Sequence, residues 1–475
     1  MNNCQVFTPN YIVELMLDNI GYCGDNIKDK TILEPSFGDG AFLTAIVKRI
    51  INYASKHNLN NKTIYQIFDN VYGIEIDKKY YDITIKKLND IIKPYGLEYE
   101  WKHLSCSNTL KHDFNMLFDF CVTNPPYTKI HHLTQETREI ITKRCEFCSG
   151  NTDLYIAFFE ICSKLLKENG KLCFISPNSY FRNNSQVSFR DFLIKNNLVK
   201  SIIDFSNVKV FGNIATYPTI ILLDKSNKSN IITYTLMKNE TEKEFQTSID
   251  LSSFKSKQWV FTNNDDATFL TLNSTKQQKL KDICDIQYGI ATNADKVYIV
   301  NDCKKFEEGI LRPVIKASTL NSDNYILFPY KWNTVSNRYE VIEEREMKSL
   351  FPKTYDYFIE NHNILIKRDM DTNFSAWYQF ARSQGIQNSN KKKIVLKHII
   401  SPHKNTCEYK EVSSETLVYS GIYIIVKSDK DYDFVKEIIS SEEFHRYLFL
   451  VGKNMAGGYK SVNTKLIKEY GIDEP

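Results

Sequence analysis

The chain has 475 residues, 42% of them hydrophobic, and its 61 basic and 57 acidic side chains leave a net charge of +4, which suits two or three separately packed domains. With no run of about 18 apolar residues and no basic-apolar leader, the composition excludes a membrane-spanning or exported chain and predicts a cytoplasmic protein. Charge is balanced in both halves, with 25 basic and 23 acidic residues in 1–220 and 36 and 34 in 221–475, so any nucleic-acid face must come from local clustering.

Apolar periodicity predicts the elements in chain order. Residues 10–22 read as a helix starting behind Thr8-Pro9. Thr31-Ile-Leu33 is a short strand, Glu34-Pro-Ser-Phe-Gly-Asp-Gly40 a turn, and Ala41 to about Ala54 a helix. Val71–Glu75 is a second strand, followed by a helix through Ile92. Phe118–Thr123 is another strand, and Leu154–Lys167 an amphipathic helix ended by Asn169-Gly170. Strands are expected at Lys171–Ser176, Val199–Asp204 and Thr216–Leu223, with a helix at 187–196. Strands alternating with helices predict an α/β, Rossmann-like, doubly wound parallel sheet over residues 1–225. Residues 226–275 are polar and read as a connection with some strands. Residues 276–475 read as a mixed α+β domain with short apolar runs at Lys296–Val300, Ile394–His398 and Gly421–Val426.

Eleven scattered cysteines predict reduced thiols. Cys145-x-x-Cys148 lies near His131 and His132, but no second pair stands at metal-ligand spacing, so no metal is expected.

Ligands of such sheets sit at the carboxyl ends of strands, and three suggestive segments fall there. Gly38 and Gly40 permit close backbone approach before a helix N-terminus. Glu75 ends the next strand, where a carboxylate can accept from both hydroxyls of a ribose. Asn124-Pro125-Pro126-Tyr127 follows the third strand. The prolines fix φ near −65° and push Asn124 into the extended region. The Asn124 side-chain oxygen and the Pro125 carbonyl can then converge on a planar amino group while Tyr127 offers a face to the ring that carries it. Two acceptors favour a more tetrahedral nitrogen whose lone pair points at a methyl donor. A plain strand-terminating turn would use the same residue types, as would a solvated carboxylate at Glu75. No G-x-x-x-x-G-K-[ST] is present, which argues against a nucleotide triphosphate cradle.

Gln5-Val-Phe-Thr-Pro9, Leu33-Glu-Pro-Ser-Phe-Gly-Asp-Gly40, Gly73-Ile-Glu-Ile-Asp77 and Asn124-Pro-Pro-Tyr127 occur in that order. Asp153-Leu-Tyr155 and Gly170-Lys-Leu-Cys-Phe-Ile-Ser-Pro177 follow. Together they resemble the γ-class, TaqI-like type II N6-adenine DNA methyltransferases of restriction-modification systems. The likeness covers residues 4–224 well and the rest loosely. It implies S-adenosyl-L-methionine as cofactor and a flipped adenine in double-stranded DNA as substrate. It also implies a separate cognate restriction endonuclease as partner, a monomer, and a nucleoid-associated location.

On the matching positions, the resemblance implies that Phe7, Thr8 and Pro9 close over the methionine end of the cofactor. Glu34, Pro35, Ser36, Gly38 and Gly40 would line its cleft, Glu75 hold the ribose, and Ile76 pack on the adenine ring. Asn108 stands where the family usually has an Asp for the adenine amino group, and Thr109 where an apolar residue is common. Asn124, Pro125, Pro126 and Tyr127 would hold the acceptor base, with Phe211 as a second aromatic sandwiching it; a core Phe at a strand end would look the same. In the expected target-recognition domain, Arg382, Lys391, Lys392, Lys393, Lys397 and Lys460 are the DNA-contact candidates, with His398 and Lys453 beside them. Lysine runs are also common on simple solvated faces. Rival readings are a type I-like modification subunit, a methyltransferase acting on RNA or on protein glutamine, and a non-catalytic DNA-binding module.

Overall fold

A computed structural model describes residues 7–148, 152–212, 217–254, 258–370 and 375–473. Gln5, Val6 and Thr216, parts of two predicted segments, lie outside them. The chain divides into two compact units, Met1–Asn264 and Asp265–Pro475.

The strands of the first unit are β1 Ile32–Glu34, β2 Val71–Glu75, β3 Leu104–Cys106, β4 Phe118–Thr123, β5 Leu166–Pro177, β6 Val199–Asp204, β7 Pro218–Asp224, β8 Ile231–Met237 and β9 Lys243–Asp250. They form one sheet in the order β3-β2-β1-β4-β5-β7-β6-β8-β9. Its helices are α1 Asn10–Ile20, α2 Asn26–Asp29, α3 Ala41–Lys56, α4 Asn61–Phe68, α5 Lys78–Ile92, α6 Gln135–Arg144, α7 Leu154–Lys164 and α8 Val187–Lys195.

The sheet is parallel from β3 through β5. Beyond that it departs from the all-parallel expectation, because β7 lies antiparallel to both β5 and β6. Parallel neighbours need a crossover, usually a helix; no helix stands between β6 and β7 among the described residues, and the chain returns antiparallel. β8 is parallel to β6 and β9 antiparallel to β8. The segment expected to connect two domains thus extends the sheet, and the first unit reaches Asn264 rather than ending at 225.

Alternation along the strands serves two cores. Ile32, Phe120, Ile175 and Ile220 face the helical layer containing Met16, Leu17, Ile46 and Ile50. Leu33, Cys121, Phe174 and Ile221 face the layer containing Phe159, Phe189 and Leu193. α7 ends at Lys164, short of the Asn169-Gly170 stop, because β5 already pairs at Leu166. Between that pair and Lys171 the register shifts, and Gly170 allows it: a Cβ there would lie 2.8 Å from the Phe118 carbonyl oxygen.

At the amino ends of β1 and β4, Asp119 accepts from the Thr31 N–H at 3.0 Å and the Thr31 hydroxyl at 2.9 Å, and pairs with Lys167 at 2.6 Å and Lys30 at 3.2 Å. Burial would raise its pKa, but these partners outweigh burial and hold it at about 2.

In the second unit, Cys284–Tyr288, Ile422–Val426, Lys393–Leu396 and Tyr409–Val412 form an antiparallel four-stranded sheet. Ile299–Val300, Asn321–Leu327, Leu311–Lys316 and Leu417–Tyr419 form another. Helices Tyr432–Ser440 and Glu442–Val451 bury Val435, Ile439, Phe444 and Leu448 in the core that also holds Ile394 and Ile424. No helix among the described residues is long and apolar enough to cross a membrane.

Candidate active site

The turn after β1 is strapped to α5. Gly38 and Gly40 have φ of +52° and +83°, left-handed values that other residues adopt at a cost. A Cβ on Gly40 would sit 2.6 Å from Thr84 Cγ2. The Thr84 hydroxyl donates to the Gly38 carbonyl at 3.0 Å, and Lys87 Nζ donates to the Asp39 carbonyl at 2.7 Å.

Glu75 closes the turn from the neighbouring strand. Its Oε2 accepts from the Gly38 N–H at 2.8 Å and its Oε1 from the Asp77 N–H at 2.9 Å. Each carboxylate oxygen carries a further lone pair, so the held carboxylate can accept from two ligand hydroxyls. Glu34 is fully buried beneath the turn, and its Oε1 accepts from the Ser36 N–H at 3.1 Å. Burial pushes this carboxyl up to about 8, against the opposing contacts with Thr123 and Ser36.

Past β3, Asn108 Oδ1 accepts from the Leu110 N–H at 2.9 Å, which fixes the side chain across its own turn. The Thr109 hydroxyl donates to the Pro35 carbonyl at 2.5 Å. A polar residue thereby fills a position where an apolar one was expected, because its hydroxyl is consumed by the adjoining turn.

After β4, the segment from Asn124 is stitched down on its far side. The Leu154 N–H donates to the Thr128 carbonyl at 2.8 Å and the Ile130 N–H to the Thr152 carbonyl at 2.9 Å. The Tyr127 hydroxyl donates to Asn124 Oδ1 at 2.5 Å and lies 3.4 Å from the Ile175 carbonyl. Asn124 Nδ2 donates to Thr8 Oγ1 at 3.0 Å. Burial, with Tyr155 adjacent, raises the Tyr127 phenol far above its ordinary value, so it stays protonated and donating.

These segments line one cavity of about 320 Å³, formed by Phe7, Thr8, Pro35, Ser36, Gly38, Glu75, Ile76 and Asn108 on one side and Asn124, Pro125, Pro126 and Tyr127 on the other. Pro9, Glu34 and Gly40, also expected at the cofactor, are not among the residues that line it. Phe37, Asp39, Leu110, Leu133, Thr137, Leu154 and Phe158 also line it. Phe37, Asp39 and Leu154 stood within quoted motifs without an assigned role, and sequence reasoning missed Leu110, Leu133, Thr137 and Phe158; Leu133 just precedes α6 and Thr137 lies in its first turn, where no motif stands.

Phe211 is placed differently from the expected sandwich. It is 6% exposed in the core beside α1 and α3, with its ring centroid 6.5 Å from that of Tyr127 at an interplanar angle of 65°. Two rings meeting edge to face leave no parallel slot between them.

The basic candidates of the second unit also separate. Lys393 is 1% exposed, and its ammonium donates to the Lys391 carbonyl at 2.6 Å and the Thr416 carbonyl at 3.0 Å. Burial, then Arg312, pushes it down to about 8. It is a strand-core residue rather than a DNA contact, because strand alternation turns it inward from Lys392. Arg382 pairs with Asp369 at 2.5 Å and Lys397 with Glu408 at 3.0 Å. Lys392 lies over the Tyr432 ring, and Lys460 bonds Asn454 beside Phe449. Lys391 and Lys453 are exposed. Desolvation lowers the pKa of half-buried His398.

Cys145, Cys148 and Glu160 are buried with ligand atoms within 4.8 Å of one another; His131 and His132 are outside this group. Glu160 is already engaged: it accepts from the Glu146 N–H at 2.8 Å, the Phe147 N–H at 3.0 Å and Lys164 at 2.7 Å. The carboxylate thus ties the C-x-x-C turn to α7.

A family model described as Eco57I restriction-modification methylase matches residues 52–211. The type II methyltransferase M.BstVI of Geobacillus stearothermophilus is 24% identical over 512 aligned positions, covering 99% of this chain and 90% of that protein. The type II restriction enzyme and methyltransferase RM.Eco57I of Escherichia coli is 25% identical over 405, covering 74% of this chain and 40% of that protein. Among solved structures, the type IIL restriction-modification enzyme MmeI in complex with DNA superposes with a TM-score of 0.65 at 15% identity. That match covers 96% of this chain and 64% of MmeI, and shows a shared fold.

Proposed function

We propose that this chain methylates DNA, transferring a methyl group from S-adenosylmethionine to the N6 amino group of an adenine extruded from a specific double-stranded sequence, as the modification arm of a restriction-modification system. One observation carries the reading. The glycine turn with its Glu75 acceptor and the Asn124–Tyr127 segment line the same cavity, so a cofactor site and an amine-acceptor site share a wall. The names of the relatives, type II methyltransferases, carry it towards DNA.

The residues present fit the cofactor. Glu75 offers two oriented acceptors for ribose hydroxyls, Ile76 is 66% exposed and available to an aromatic ring, and the left-handed glycines keep the backbone open. A volume of about 320 Å³ lies in the range of ligand pockets, about 300–1,000 Å³. When bound, S-adenosylmethionine supplies an electrophilic methyl on a sulfonium.

The protein's own groups then act on the acceptor. Asn124 Oδ1 and the Pro125 carbonyl accept the two N6 hydrogens and hold the nitrogen lone pair directed into the cleft. As the new C–N bond forms and the methyl–sulfur bond breaks, the N6 proton that must leave stays hydrogen-bonded to one of these oxygens and is then lost to solvent. Tyr127 offers its ring to the base, whose stacking offsets part of the cost of leaving the duplex. The second unit would read the sequence and Lys391 contact phosphate. The protein would work as a monomer in the cytoplasm, with cleavage supplied by a separate endonuclease.

Transfer of labelled methyl from S-adenosylmethionine to DNA by the wild-type chain and by Asn124→Ala tests this. Losing one transition-state partner is expected to lower kcat by about 10²–10³-fold. Undiminished transfer by the variant would overturn the mechanism.

A further inference from the structure

The turn that closes α6 gathers three metal-ligand side chains that the proposed methyl transfer does not use. Cys145, Cys148 and Glu160 are all buried, and their sulfur and carboxylate atoms lie within 4.8 Å of one another. The local sequence builds this cluster. α6 starts at its Thr134 cap and ends at Arg144, and the Cys145 N–H closes the last turn on the Ile141 carbonyl at 2.8 Å. Cys145 then takes extended backbone, with φ −119° and ψ 132°, which breaks the helix. The N–H groups of Glu146 and Phe147, between the two cysteines, turn onto Glu160 of α7 at 2.8 and 3.0 Å.

The carboxylate is therefore held in place before any cation arrives. Its Oε1 is filled by Glu146 and Lys164, whereas Oε2 accepts from Phe147 and keeps a lone pair. Stapling the turn accounts for the carboxylate but not for two sulfurs gathered beside it.

We infer that Cys145, Cys148 and Glu160 form a site for a thiophilic divalent cation of the zinc class, which pins the end of α6 to α7. Tetrahedral zinc, with sulfur at about 2.3 Å and carboxylate oxygen at about 2.0–2.2 Å, sets its donor atoms about 3.5–3.8 Å apart. The present spacing, within 4.8 Å, reaches that with side-chain shifts of about 1 Å. Two sulfur donors select zinc over magnesium or calcium. Two thiolates and a carboxylate carry three negative charges and Lys164 one positive, so a divalent cation brings the buried cluster to neutrality. Water takes the fourth position. Both helices reach the cavity, α6 through Thr137 and α7 through Leu154 and Phe158, so the cation holds two parts of its lining together. The third ligand comes from packing of a separate helix, which the spacing of cysteines cannot reveal.

The test adds Co²⁺ and then Zn²⁺ to the chelator-treated full chain, kept in a phosphine reductant so that the cysteines stay thiols. Wild type should bind one Co²⁺ per chain with a thiolate-to-metal charge-transfer band, which one equivalent of Zn²⁺ abolishes. Cys145→Ser and Cys148→Ser should each weaken Zn²⁺ binding by at least about 100-fold, and Glu160→Gln by about 10–100-fold. Cys23→Ser, at an exposed cysteine, should bind as wild type does. Thermal unfolding without metal checks that each variant folds, and Zn²⁺ should raise the melting temperature of wild type and Cys23→Ser but not of Cys145→Ser. A second readout needs no variant. Zn²⁺ should slow alkylation of Cys145 and Cys148 in wild type, followed by mass spectrometry, while exposed Cys23 and Cys106 react as before. A wild-type chain with no charge-transfer band overturns the inference. So does a band that survives in the Cys145→Ser/Cys148→Ser double variant, or Zn²⁺ that leaves Cys145 and Cys148 reacting at their metal-free rate.

Discussion

Replacing Glu75 with Gln separates shape from charge at the proposed ribose site. The carboxylate accepts main-chain N–H groups at both oxygens, from Gly38 at 2.8 Å and Asp77 at 2.9 Å. A glutamine keeps one oxygen, so its NH₂ must face one of those N–H groups, donor to donor. The turn therefore loses a hydrogen bond to a charged group, and the ligand loses one of two anionic acceptors. Hydrogen bonds to charged groups contribute about 1.5–3 kcal/mol, and each 1.4 kcal/mol is tenfold in affinity, so the Kd for S-adenosylmethionine should rise about 10- to 100-fold. Titration calorimetry on wild type and variant reads this directly, with thermal unfolding run alongside to confirm that the fold is retained. A folded variant that binds within about twofold of wild type would refute the assignment of Glu75 as the ribose acceptor.

Three further outcomes follow from the packing. Asp119→Asn should cost about 1–3 kcal/mol at pH 7. Because the folded pKa of about 2 lies below the ordinary value of about 4, the wild-type advantage should be full above about pH 4 and vanish as pH falls through 2 in acid-unfolding curves. Gly40→Ala places a Cβ 2.6 Å from Thr84 at φ +83° and should destabilise by about 1–3 kcal/mol in denaturant melts; adding Thr84→Ala should recover only part, since the backbone strain stays. Lys393→Met should leave DNA affinity and its salt slope unchanged, whereas Lys391→Ala should reduce the slope by about one. With the folded pKa of Lys393 down at about 8, the unfolded state binds the extra proton between about pH 8 and 10.5. Wild-type stability should therefore rise with pH over that window, and the Met variant should lack the rise.

Much of the cleft was legible in the sequence because its parts sit where apolar strands break into turn chemistry. Gly38, Glu75 and Asn124 each mark a strand end, and a parallel sheet brings adjacent strand ends together. The antiparallel return of β7 was not legible: its fully buried run reads the same in either direction. That β9 extends the sheet, rather than belonging to a connection with some strands, was not legible for the opposite reason. Lys243–Asp250 is a polar edge strand with every other residue exposed, and such strands resemble connections. Leu133 and Thr137 carry no signature, since what matters is where the stitched 128–130 segment leaves the helix that follows. Lys393 looked like part of a solvated lysine run, but strand alternation turns it into the core, where burial lowers its pKa to about 8. Phe211 kept its aromatic identity, yet its angle to Tyr127 is set by packing that no motif encodes.

The central claim is that one cavity presents an exocyclic adenine amine to a methyl donor, and the base that is modified tests it most directly. DNA incubated with the wild-type chain and S-adenosylmethionine should be digested to nucleosides and quantified by mass spectrometry. N6-methyldeoxyadenosine is expected to accumulate with wild type and to fall to background with Asn124→Ala. Modification of cytosine alone, or of no base at all while the protein remains folded and binds the cofactor, would contradict the account.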